Sequence, residues 1–145
     1  MIGLIQRVTS ARVDIDGTTR AAIGPGLLVL VGFRRDDRDG QLDRFIERLL
    51  NYRVFPDADG RMNLSLRDTG GELLVVPQFT LAADTARGNR PSFTPAAAPE
   101  HGRALFDQLC GALARAWPET GFGVFGADMQ VALVNDGPVT FWLEV

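Results

Sequence analysis

The chain has 145 residues, a length that suits one domain, and 46% of them are hydrophobic, enough to bury a real core. Fifteen basic residues against 18 acidic ones leave a net charge of −3, which argues against a protein that grips nucleic acid mainly through the phosphate backbone. A single cysteine, Cys110, excludes an internal disulfide and fits a reducing cytosol.

The opening stretch, MIGLIQRVTSARVDIDG, lacks a basic segment followed by an apolar block, so no signal peptide is expected. No apolar run approaches the roughly 18 residues of a membrane span, and the expected location is the cytoplasm. Ile2 to Ile15 is rich in β-branched and apolar residues and reads as a long strand. Asp16-Gly17 marks a turn, and a second strand is expected near Thr18 to Ile23. After the turn GPG, the run from Leu27 to Phe33 is continuously apolar, as in a strand covered on both faces. RRDDRDG reads as a solvated loop leading into a helix over about Asp39 to Tyr52. Leu42, Phe45, Ile46, Leu49 and Leu50 recur there at spacings of three and four, forming one apolar stripe.

PDADG, from Pro56 to Gly60, is a turn. It resembles a calcium loop only at its start, because the later ligands and the terminal Glu are missing. Glu72 to Ala82 is a predicted strand that runs into a corner at Pro77, followed by a polar, proline-bearing loop over 83–98. A second helix is predicted from Pro99 to Trp117, with the proline in its first turn and Leu105, Phe106, Leu109, Cys110 and Leu113 on its buried stripe. Two strands, near Met129 to Val134 and Val139 to Val145, finish the chain, separated by NDGP as a hairpin-like turn. Strands and helices without regular βαβ alternation give an α+β class with a mainly antiparallel sheet, in one domain over residues 1–145.

Several motifs fail on context. GFGVFG, from Gly121 to Gly126, has the letters of a dinucleotide fingerprint. It follows a helix and precedes a strand, the reverse of what a pyrophosphate cradle needs. One histidine and one cysteine cannot build a His- or Cys-rich metal site, and neither a metal nor a cofactor is expected. His101, in a first helical turn, reads as a solvated surface residue, so a hydrolase of this sequence would take its general base from elsewhere.

Two stretches carry a mechanism. VVPQFTLAAD, from Val75 to Asp84, presents Gln78, Phe79 and Thr80 after a buried strand. An amide, a hydroxyl and the turning backbone could hold a carbonyl oxygen as it becomes an oxyanion. Spacing alone favours the plainer reading of a strand and a capped turn. Gly137-Pro138 is a step at which a cis bond is cheap. Two carbonyls aimed the same way would make a wall that cannot swing aside, and an ordinary hairpin turn is the plainer alternative.

Taken together, MIGLIQRVTSARV, GLLVLVGF, NYRVFPDADGRMNLS, LVVPQFTLAADTARGNRPSF and FGADMQVALVNDGPVTFWLEV resemble the D-aminoacyl-tRNA deacylase family over essentially the full length. The resemblance implies a strongly curved, barrel-like sheet with two principal helices. It implies a cytoplasmic homodimer that hydrolyses D-aminoacyl-tRNA, and glycine mischarged on alanine tRNA, at a site on the subunit interface. Gln78, Phe79 and Thr80 then line the aminoacyl pocket and supply the oxyanion donors. Gly137 and Pro138 match an element inserted into the partner's pocket to reject L-amino acids, Arg7 an arginine that holds it, and Met129 a pocket-side methionine. The expected partner is the acceptor end of aminoacyl-tRNA, with no DNA and no membrane. Catalysis is attributed in the family to the 2′-OH of the RNA more than to a side chain, and Thr80 is expected to bind and position. The family's usual serine before the glutamine is Pro77 here. That departure motivates the alternative of a non-catalytic tRNA-binding or assembly module.

Overall fold

The computed structural model describes residues 1–145. Its framework is β1 (Ile2–Ile15), whose 14 residues make it long enough to serve three neighbours. On one side β1 pairs antiparallel first with β3 (Gly26–Gly32), through Ile2 to Val8, and then with β2 (Thr18–Ile23), through Ala11 to Ile15. Its other side pairs antiparallel with a long final strand, Gln130–Glu144.

Two short strands, β4 (Phe55–Pro56) and β5 (Met62–Leu64), form a separate hairpin around the PDADG turn. From β3 the main sheet continues in parallel to β6 (Glu72–Pro77) and then to β7 (Thr120–Phe122); the final strand is β8. The sheet is therefore mainly antiparallel, as expected, but mixed. The chain enters β6 only after helical segments have carried it across the sheet, and such crossovers return a strand in parallel.

Curvature brings β7 back to β2. A Cβ added at Gly121 would lie 3.0 Å from Ala21 Cβ, so the two strands touch without pairing and the sheet is nearly closed. This explains the continuously apolar strands. Leu28, Leu74 and Val76 point inward to a small cluster with Val8, Ala11, Val13 and Ile23. Leu27, Val29, Leu73 and Val75 point outward into the main core. Two helices cover that outer face, α1 (Leu42–Asn51) and a long helix at Pro99–Ala116, and the apolar stripes read from the sequence are buried except at Cys110, which is half-buried. Between them lies α2 (Leu66–Thr69), which the sequence reading missed. Its signal is a capping box, with Asp68 accepting from the Ser65 N–H at 2.8 Å and Ser65 Oγ accepting from the Asp68 N–H at 3.3 Å. The long helix is α3. No helix is long and apolar enough to cross a membrane.

Two expectations are corrected. The last two predicted strands are one, β8, and NDGP is not a hairpin turn but an excursion within it. Gln6 faces Thr140 and Val8 faces Asn135, so residues 136–139 all stand opposite Arg7. The long partner β1 keeps β8 straight on both sides of this bulge, a constraint that local turn chemistry does not reveal. His101 is also not freely solvated. It is half-buried, with its Nε2 2.9 Å from the Asp37 carbonyl, because α3 packs its first turn against the 33–39 loop.

Candidate functional site

β6 ends at Pro77 for a geometric reason. The Gln78 N–H donates to the Val31 carbonyl on the β3 side at 2.7 Å, while Val75, two residues before Pro77, accepts from Gly123 on the β7 side at 2.9 Å. Strand alternation turns the Pro77 nitrogen toward β7, which has already finished at Phe122. No ladder donor is lost. The chain then turns into a short 3-10 helix over Phe79–Ala82. Gly32 makes room for the turn: a Cβ there would lie 2.8 Å from the Gln78 carbonyl and 3.0 Å from Leu81 Cβ.

The corner gathers Gln78, Phe79 and Thr80 as expected. Gln78 Nε2 donates to Thr80 Oγ1 at 2.5 Å, which leaves the Thr80 hydroxyl proton free to point outward. No carboxylate or imidazole hydrogen-bonds that hydroxyl. The N–H groups of Phe79 and Thr80 stand at the open start of the 3-10 turn, where the turn itself supplies no acceptor.

Phe79 is the partition between two cavities. The smaller, about 250 Å³, is lined by Pro77, Phe79, Ala97, Pro99, Phe125 and Gly126. Its Phe125 wall is pinned from outside: the Arg103 guanidinium sits 5.1 Å above the ring centre and donates to the Phe125 carbonyl at 3.1 Å. The larger, about 710 Å³, carries Arg35, Arg38 and His101 as well as Phe79 and Phe93. The two arginines come from the stretch read as a plain solvated loop. What betrays them is tertiary: the Arg35 N–H bonds the Pro95 carbonyl at 2.9 Å, bringing the loop against the 94–97 segment.

Met129 packs one layer behind the corner. Its sulfur accepts the Val124 N–H at 3.3 Å, and it and the Pro77 ring both close on Gly123. Cys110 is half-buried on α3 and its thiol is pushed up to about 12, first by burial and then by neighbouring Asp107, so it is inert as a nucleophile.

Arg7, Gly137 and Pro138 form a second group. The Gly137-Pro138 bond is cis, Gly137 has φ +136°, and both residues are exposed. Asn135 staples the bulge at two points, accepting the Val139 N–H at 2.7 Å and donating to Thr140 Oγ1 at 2.8 Å. Arg7 holds it to the sheet: Nε donates to the Asp136 carbonyl at 3.1 Å, and Nη1 to the Val54 carbonyl at 2.7 Å. Nothing in the chain brings this group to Gln78–Thr80. Strands β1 and β3 lie between β8 and β6, at about 4.8 Å per step.

In this nearly closed α+β sheet an amide, a hydroxyl and free backbone N–H groups stand at one corner above an apolar cavity, with no base beside the hydroxyl, an arrangement suited to holding a carbonyl oxygen as it becomes an oxyanion. The sequence model of the family described as D-Tyr-tRNA(Tyr) deacylase matches residues 4–144, and the chain belongs to that family of hydrolases. Among its relatives is the D-aminoacyl-tRNA deacylase of Thioalkalivibrio sulfidiphilus, 61% identical over all of this chain and 97% of that one. That of Methylococcus capsulatus is 64% identical over 99% of this chain and 94% of its own. A solved structure titled c-Myc DNA Unwinding Element Binding Protein superposes with TM-score 0.94 at 37% identity, covering 100% of this chain and 99% of the other. A probable eukaryotic D-amino acid tRNA deacylase shares the fold at TM-score 0.88 and 18% identity, over 99% and 98% of the two chains.

Proposed function

We propose that the chain hydrolyses the ester between a D-amino acid and the terminal adenosine of tRNA, and the glycyl ester mischarged on alanine tRNA, in the cytoplasm. The observation that carries this reading is the Gln78–Thr80 corner, which has oxyanion donors and no protein base. Water adds to the ester carbonyl. The N–H groups of Phe79 and Thr80 meet the oxyanion, and the Thr80 hydroxyl orients the acyl group. The carbon–oxygen bond to the ribose then breaks, and the proton from water passes to the ribose oxygen. The adjacent 2′-OH of the RNA does the work a histidine would otherwise do. Thr80 as nucleophile would need an activating base, and its one side-chain partner is an amide.

Chirality is set by exclusion, with the Gly137-Pro138 bulge as the wall where an L side chain would point. Glycine has no side chain to strike that wall. Because the bulge and the corner lie apart in one chain, the wall comes from a second copy and the working form is a homodimer. The open outer edge of β8, a 15-residue strand with exposed Leu133, Val134 and Trp142, supports such a partner. Arg7 holds the bulge and Met129 backs the pocket. No metal, cofactor, membrane or DNA enters this reading.

The test is release of amino acid from D- and L-tyrosyl-tRNA. Hydrolysis of the D ester alone is expected, and its loss when the terminal 2′-OH is replaced by hydrogen. No release from the D ester would leave the alternative, a non-catalytic tRNA-binding or assembly module on this fold.

A further inference from the structure

The larger cavity has features that ester hydrolysis does not use. Phe79 and Phe93 are 55% and 42% exposed, although their rings pack on each other with centres 5.0 Å apart and a 56° tilt. Two tilted aromatic rings left facing water offer an apolar face to a flat ligand. Beside them in the same cavity stand Arg35 and Arg38, both exposed, and none of the lining residues is a carboxylate. Neither arginine forms an ion pair; Arg35 instead donates to the Thr94 carbonyl.

The wall is a built one. Arg34 and Ala96 form a β-bridge, the Ala97 N–H bonds the Phe33 carbonyl at 2.9 Å, and Asp84 and Ser92 exchange bonds of 2.8 and 2.9 Å just before Phe93. Main-chain pairing thus fixes the aromatic and basic residues relative to the corner, and Phe79 belongs to both.

We infer that this groove binds the single-stranded nucleotide immediately 5′ of the terminal adenosine, its base stacked on the Phe79–Phe93 pair and its phosphate held by Arg35 and Arg38. The inference rests on the deacylase reading above and extends it to the rest of the acceptor end. Stacking on aromatic rings tolerates any base, which suits an enzyme that reads no tRNA sequence. Guanidinium groups match phosphate oxygens in pairs. The site also reconciles a chain of net charge −3 with a polyanionic substrate, because only a local pair of arginines is used. Neutralising one single-stranded phosphate corresponds to a slope of about −0.7 for log affinity against log salt.

The test compares D-tyrosyl-tRNA with D-tyrosyl-adenosine, which lacks everything 5′ of the ester-bearing nucleoside. In Phe93→Ala and in the double variant Arg35→Ala/Arg38→Ala, KM for the tRNA ester should rise roughly tenfold. KM for the adenosine ester should change less than about threefold, and the double variant should flatten the salt slope toward zero. An unchanged KM for the tRNA ester, or equal damage to both esters, would overturn the inference. If the wild-type protein cleaves neither ester, the deacylase reading has failed rather than the groove. Binding of an uncharged CCA-ended hairpin RNA, followed by fluorescence anisotropy, then decides: affinity lost in these variants supports the groove, and unchanged affinity contradicts it.

Discussion

The corner after β6 and the bulge in β8 are both places where a strand stops being regular, and they are built in opposite ways. The corner ends a strand buried on both faces. It is backed by Gly32, Gly123 and Met129, and opens on cavities that its own chain encloses. The bulge interrupts an edge strand. It is stapled by Asn135 and Arg7, and then stands in solvent with nothing of its own chain to act on. A backbone excursion this well tied and this exposed is the feature on which the proposed two-chain site rests. In the proposed function the corner carries the chemistry, and the bulge carries discrimination on behalf of another copy.

Substitutions can break this division of labour. The largest effect is expected at Gly137, where a Cβ would fall 2.6 Å from Val139 Cγ2 and where φ of +136° disfavours any L side chain. Gly137→Ala should reshape the wall and lower the D-over-L ratio of kcat/KM on the order of a hundredfold, with kcat on D-tyrosyl-tRNA largely kept. Next is Gly32→Ala, which pushes on the Gln78 carbonyl from below. It should lower kcat roughly tenfold on every ester while leaving the D-over-L ratio alone, because it displaces the corner and not the wall.

Arg7→Ala sharpens the bulge side. It leaves the fully buried Val54 carbonyl without its donor and frees Asp136, so urea unfolding should show a loss of about 1–3 kcal/mol, with selectivity falling and kcat on the D ester little changed. The smallest effect is expected from Pro77→Ser. Its nitrogen faces the spent end of β7, so kcat/KM should stay within about threefold. Thermal or urea unfolding should show a loss of about 0.4–1 kcal/mol from the freer unfolded chain.

Much of the fold was legible because local pattern and burial agreed. Apart from half-buried Cys110 and Leu30, the stripes of α1 and α3 and the apolar runs of β3 and of Leu73–Val76 in β6 are buried in the structure. The stretch from Val139 to Val145 is a strand as expected, as far as Glu144, and it alternates, with Thr140, Trp142 and Glu144 exposed between less exposed Val139, Phe141, Leu143 and Val145. What failed depended on distant partners. NDGP has the letters of a hairpin turn and becomes a bulge because β1 pairs on both sides of it. β7 is three residues that are a strand only because β6 lies beside them. In the candidate site, Gln78–Thr80 could be proposed from residue chemistry and family resemblance. Arg35 and Arg38 could not, since their charge run is indistinguishable from a solvated loop until the 94–97 segment packs against it.

If the corner of one chain works with the bulge of its twin, mixing subunits that each lack one of the two will show it. A Gln78→Ala chain has a disabled corner and an intact wall; a Gly137→Ala chain has the reverse. In the purified heterodimer the one working corner should face the one working wall. D-tyrosyl-tRNA should then be cleaved and L-tyrosyl-tRNA refused, although the Gly137→Ala homodimer cleaves both. Hydrolysis of the L ester at the same rate per Gly137→Ala chain in heterodimer and homodimer would contradict the account.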